Sequence, residues 1–286
     1  VYLRNHLLPI LGEVRLDRLT TETLDRLYAH LRDDKGLSKA SIHKAHNVVS
    51  RALGQATKWE WVGDNVARNA SPPAIPRQKI NAPTPEEVRR LISVASEDNL
   101  DFGTFLRLAA VSGARRGELC ALRWSDVDFD RATVEFARAM VIGGGAVTER
   151  GTKTGNTRRV GIDPGTVDAL RDLRKVAEGR AEACGITLGA GGFVFTHKPD
   201  GSVAWRPDNV TTKFARLRTR LGIKVSIHGL RHYSATRALN AGIPLRTVSG
   251  RLGHSRSSTT SDIYSQWATE TDAVAAGVLG DLLDGE

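Results

Sequence analysis

At 286 residues the chain can bury a sizeable core in one or two domains, and its 40% apolar share is ordinary for a folded protein. Lys and Arg outnumber Asp and Glu by 41 to 32, a net charge of +9 that favours a polyanionic partner. No apolar run approaches the ~18 residues of a membrane span, no signal peptide is visible, and Cys120 and Cys184 lack metal-ligand spacing. An apolar membrane-spanning helix is thereby excluded, no disulfide or zinc scaffold is expected, and reduced thiols in a cytoplasmic protein are expected.

The chain starts at Val1 without a Met, so upstream sequence is expected to be missing. Leu24, Leu27, Tyr28 and Leu31 recur at i, i+3, i+4 and i+7, one face of a helix. After Gly36, Ser38 is a candidate N-cap for a longer helix with Ile42, Ala45, His46, Val49, Ala52, Leu53 and Ala56 on one side. Its other faces carry Lys39, Lys44 and Arg51, which read equally as a solvated face or as one that tracks a polyanion.

Five of the ten prolines fall between Ser71 and Pro85. Proline stiffens and extends a chain, so this stretch reads as a linker. The expected organisation is a helical domain over 1–71, a linker over 72–83 and a second domain over 84–286. The second domain opens with Thr84-Pro85-Glu86-Glu87, a capping box with proline at the first helical position. Helices are predicted around Val88 to Ala95 and Phe102 to Ala109. Between Thr133 and Ile162 the pattern turns to alternation, interrupted by Gly143-Gly144-Gly145. Asp163-Pro164 starts another helix, and Phe193-Val194-Phe195 reads as a short strand. From Pro207 to Trp267 helices are separated by Gly222, Gly242 and Gly253. From Ser265 onward there are five acids and no Lys or Arg, with Val274, Val278, Leu279, Leu282 and Leu283 on an apolar face. This tail, 268–286, reads as a piece that docks on protein, either its own domain or a neighbouring copy.

Three local patterns carry chemistry. The first is Ser112-Gly113-Ala114-Arg115-Arg116-Gly117-Glu118-Leu119, the second His228-Gly229-Leu230-Arg231-His232, and the third Leu252-Gly253-His254 with Tyr264 ten residues later. In this order they resemble the tyrosine recombinases of the phage-integrase type, and the resemblance runs through nearly the whole chain. Ser112 stands where the family more often has threonine. The resemblance implies a mainly α fold with a small antiparallel β-sheet: a helical, SAM-like core-binding domain followed by an α+β catalytic domain.

What the resemblance implies for the site is specific. Arg115 and Arg231 would clamp one phosphate, since guanidinium is permanently charged, planar and able to bind two oxygens. Glu118 would hold Arg115, or is an ordinary helix-surface acid. His228 would accept the tyrosine proton or donate to a phosphate oxygen, His254 would be a further donor, and His232 is expected to be structural. Tyr264 would be the nucleophile, forming a 3′-phosphotyrosine, and Lys153 the general acid for the leaving 5′-oxygen. Lys39, Lys44 and Arg51 are the candidate DNA contacts. No metal or other cofactor is expected. The partners would be double-stranded DNA and three further copies of the chain, forming a tetramer on paired sites, with accessory DNA-bending or directionality proteins as further candidates. Two other readings stay open: a type IB topoisomerase, which relaxes supercoils with similar groups, and a non-catalytic DNA-binding regulator, which needs neither Tyr264 nor Lys153.

Overall fold

The computed structural model describes residues 3–75, 82–151 and 157–253. The chain divides into two compact units, Val1–Gln78 and Lys79–Glu286.

In the first unit, α1 (Leu8–Leu11) is preceded by a π-helical turn at Leu3–Leu7 that the periodicity does not announce. Helix α2 (Thr21–Asp33) starts where Thr20 Oγ1 accepts from the Thr23 N–H, and α3 (Lys39–Lys58) where Ser38 Oγ accepts from the Ser41 N–H. Leu24, Leu27, Tyr28 and Leu31 of α2 pack with Ile42, Ala45, Val49 and Leu53 of α3 into one core. Burying each of the large aliphatic side chains stabilises the unit by roughly 1.5–3 kcal/mol. Ala52, placed on the apolar side of α3 by its spacing, is instead exposed. It lies between the buried Val49 and Leu53 in sequence but rotates off the narrow stripe that α2 covers.

The second unit is built round α5 (Leu100–Ser112). The capping box predicted at Thr84 is present: it starts α4 (Pro85–Asp98), with Glu87 Oε2 accepting from the Thr84 N–H at 2.8 Å. Asn99 then ends α4 and caps α5. α5 is apolar on most sides, and it is covered by α4, α6 (Arg116–Cys120), α7 (Pro164–Glu182) and α9 (Ile227–Asn240). Helices α8 (Pro207–Arg220) and α10 (Leu245–Leu252) complete the described α-helices.

The β content is small and antiparallel, split into two sheets. Strand β2 (Thr133–Phe136) lies between β1 (Val127–Asp128) and β5 (Arg158–Gly161), with Phe136 opposite Arg158 and Val134 opposite Val160. Strands β3 (Arg138–Gly143) and β4 (Ala146–Gly151) form a hairpin. Its two-residue loop is Gly144 and Gly145, both at positive φ, as a turn matched to strand twist demands. Phe193–Phe195, read as a short strand, makes only an isolated bridge from Phe193 to Arg123. Val194 and Phe195 are buried by packing into the core rather than by a ladder, and Phe193 is buried with the Arg123 guanidinium 4.2 Å from its ring centroid.

Candidate active site

Helix α5 ends at Ser112 because Gly113 takes a left-handed conformation, φ 63°. A Cβ there would lie 2.5 Å from Leu252 Cδ2, so glycine is what lets α10 pack against the turn. The buried Ser112 hydroxyl donates to the Leu108 carbonyl at 2.6 Å and accepts from the Ala114 N–H at 3.2 Å. The position needs a hydroxyl, and serine supplies it as threonine would.

Arg115 follows, immediately before α6. Glu118, in the first turn of that helix, accepts from the Arg115 backbone N–H at 2.7 Å and from its Nη1 at 2.9 Å. One acid therefore holds both the backbone and the side chain of Arg115. The Glu118 side chain is 5% exposed while that of Arg115 is 47% exposed. The ordinary surface-acid reading of Glu118 is excluded by that burial. Burial alone would push the Glu118 carboxyl up, but Arg158 and then Arg115 outweigh it and hold it below the usual carboxylate range. Arg115 Nη2 also donates to the Gly253 carbonyl at 3.2 Å.

Helix α9 supplies His228 and Arg231, three residues apart and hence on one face. Arg231 is only 4% exposed. Its Nη1 donates to the Gly113 carbonyl at 2.7 Å, and its Nη2 is buried with no hydrogen-bond partner among the described residues. Burial and the nearby Arg115 push its guanidinium down to about 9, with Glu118 opposing them, so it stays charged at neutral pH. His228 keeps an exposed edge, yet removal of its other side from water, then Arg231 and Arg115, hold its imidazole below the usual value. His232 meets His228 edge to face at 4.8 Å, and burial, His228 and Arg231 push it down to about 4. The Arg115–Glu118 turn and the His228–Arg231 face thus form one electrostatic neighbourhood, assembled from two stretches more than 100 residues apart in sequence.

A model of the phage integrase family matches residues 83–271. The chain belongs to the phage integrase family. Tyrosine recombinase XerA of Thermococcus kodakarensis is 31% identical over 245 residues, covering 86% of this chain and 77% of XerA. The fold is similar to that of the Tn1549 transposon integrase in complex with a circular intermediate DNA, at a TM-score of 0.73 and 19% identity, covering 91% of this chain and 87% of that one. It is also similar to a lambda integrase tetramer bound to a Holliday junction, at a TM-score of 0.65 and 17% identity, covering 91% of this chain and 69% of that one. The protein is a tyrosine-type site-specific DNA recombinase.

In this recombinase Arg115, Glu118, His228 and Arg231 come together. Lys153, His254, Tyr264 and the 268–286 tail lie outside the described residues, Lys153 between the end of β4 and the start of β5 and His254 next after Gly253. Lys39, Lys44 and Arg51 are exposed on α3, in the other unit. Tyr28, in the other unit, is buried, bonded to His46 Nδ1 at 2.8 Å and pushed up to about 12 by burial and Asp25. That is the opposite of what a nucleophile needs.

Two arginines in the neighbourhood went unassigned in the motif reading. Arg158 grips Glu118 with both Nη atoms, at 3.0 and 2.5 Å. Arg251 Nη2 donates to the Val111 and Gly161 carbonyls, at 2.9 and 2.8 Å, and so staples α10 to the ends of α5 and β5. For Arg158 a signal existed: in Arg158-Arg159-Val160-Gly161-Ile162, strand alternation puts Arg158 on the face of Val160 and Ile162, the buried one.

Proposed function

We propose that the recombinase cleaves and rejoins duplex DNA with Tyr264 as nucleophile, and that Arg115, Arg231 and His228 cradle the scissile phosphate. The observation that supports this most is Nη2 of Arg231. Leaving a charged donor buried without a partner costs on the order of 1–3 kcal/mol or more, and a phosphate oxygen would supply the missing acceptor. Arg115 offers a second, exposed guanidinium beside it.

The chemistry follows from that cradle. The phenolic oxygen of Tyr264 attacks phosphorus, a P–O bond to tyrosine forms, and the bond to the 5′-oxygen breaks with its electron pair on that oxygen. Charge growing on the non-bridging oxygens is met by the two guanidinium groups, which take the part a metal ion plays in other phosphoryl transfers. His228, held neutral near pH 7, accepts the phenol proton. Lys153 protonates the leaving 5′-oxygen, and His254 donates to a non-bridging oxygen. The ester energy is kept in the 3′-phosphotyrosine, so a 5′-hydroxyl from a partner strand reverses the step without ATP. Exchange between paired sites is assigned to a tetramer, with the 268–286 tail as a docking piece between copies. The lambda integrase tetramer on a Holliday junction supports that arrangement by similarity of fold.

Tyr264→Phe is expected to erase the gel-stable protein–DNA adduct while duplex binding stays intact. An adduct that persists in this variant rejects Tyr264. Plasmids bearing two sites separate this activity from a topoisomerase: recombinant products are expected, and relaxation alone would favour the topoisomerase.

A further inference from the structure

We infer that Arg158 is a positioning residue of the strand-cleavage reaction: it takes up the charge of Glu118 so that Glu118 can orient Arg115 without neutralising it. The inference rests on the phosphate cradle proposed above.

The conflict it resolves is electrostatic. Glu118 must be charged to grip the Arg115 backbone N–H and Nη1. A carboxylate paired with Arg115 alone would cancel the positive charge that a phosphate is to meet. Arg158 removes the conflict. Its side chain is 11% exposed, and its Nη1 and Nη2 reach Glu118 Oε1 and Oε2 in a two-pronged grip. Arg115 and Arg158 bond to that one carboxylate, and the Arg231 guanidinium lies near enough for its pKa to be raised by that charge. The surplus of two positive charges matches in magnitude the two negative charges that a pentacoordinate phosphodiester carries.

The position of Arg158 is over-determined, as a positioning group requires. Opposite Phe136 in the β2–β5 register, it lays its guanidinium 4.8 Å from the Phe136 ring centroid. Its Nε donates to the Arg251 carbonyl at 3.0 Å, at the end of α10. A Cβ on Gly253 would come within 3.1 Å of its Cδ and Nη1, so the Leu252-Gly253 turn rests directly on it. Strand β5 thus supports both the arginine turn and the last described residue before His254.

The test is single-turnover adduct formation by the full chain. The probe is a duplex that the protein itself selects from a random-sequence library, nicked so that the cleaved fragment leaves. Arg158→Met is expected to bind this duplex as the wild type does and to form adduct on the order of 100-fold more slowly, the usual cost of misplacing a reacting group by about 1 Å. Because Arg158 acts through Arg115, the double variant Arg115→Ala/Arg158→Met is expected to be no slower than Arg115→Ala alone. The acid limb of the rate should move to higher pH in Arg158→Met. Burial then dominates the Glu118 carboxyl, with only Arg115 and Arg231 left to oppose it. Arg158→Lys restores the charge but not the fork, so the acid limb should return while the rate recovers only in part; this variant carries the test if the methionine variant does not fold. Arg159→Met, on the exposed face and paired with Glu135, is the control and should leave the rate unchanged. Wild-type rates in both Arg158 variants, or losses that multiply in the double variant, overturn the inference. Adduct surviving in Tyr264→Phe or at full rate in Arg115→Ala would instead overturn the cradle itself.

Discussion

His232 is half-buried, bears an Nδ1 with no partner among the described residues, and faces His228 and Arg231. Its imidazole is pushed from 6.5 to about 4. Between those two values the unfolded chain holds the proton more tightly than the folded one. The neutral ring's contribution to stability is therefore complete above about 6.5 and is lost as the pH falls toward 4. On the order of 3 kcal/mol is at stake over that window. His232→Asn is expected to flatten the fall of urea-unfolding stability between those pH values. An unchanged slope would show that other groups, such as His228 with its shift in the same direction, carry the whole effect.

At the scale of elements, the end of α5 is where the site is made. Gly113 ends the helix, gives its carbonyl to Arg231 and lies under Leu252 of α10. Gly113→Ala forces a side chain into left-handed backbone and against the Leu252 methyl. A loss of about 1–3 kcal/mol in unfolding stability is expected. Adduct formation should fall by more than this stability loss explains, because the carbonyl that aims Arg231 moves with the turn. Full activity in a destabilised but folded variant would separate the turn from the chemistry. The neighbouring α6 is placed by a second close approach: a Cβ on Gly117 would meet the Met140 carbonyl of β3 at 2.5 Å. Thus the β3–β4 hairpin, which leads to Lys153, also seats the helix that follows Arg115.

For the whole molecule the governing quantity is charge. The +9 chain keeps five of its acids in the segment after Tyr264, so the remainder is more basic still. Duplex binding is expected to weaken linearly in a plot of log affinity against log salt. The exposed Lys39, Lys44 and Arg51 on α3 decide between two readings of that helix. If the face tracks DNA, each alanine substitution should reduce the slope by about 1 while weakening all sequences alike. A triple variant with an unaltered slope would make α3 a merely solvated face.

The sequence by itself revealed the longer helices and put forward the candidates for the chemistry. Leu24, Leu27, Tyr28 and Leu31 revealed their buried face because helix periodicity is local, and the Thr84–Glu87 box declared its cap for the same reason. Arg115, Glu118, His228 and Arg231 were legible because their spacings within short motifs follow from one turn of helix. Ala52 escaped that logic, since which apolar residues are covered depends on what packs across the helix. Only the tertiary structure decided that Glu118 is buried, that Arg231 keeps a donor with no partner among the described residues, and that Arg158 of β5 closes on the same acid from 40 residues away. Burial and pairing of charges are long-range properties: they arise when separate elements exclude water together, and no window along the chain contains them.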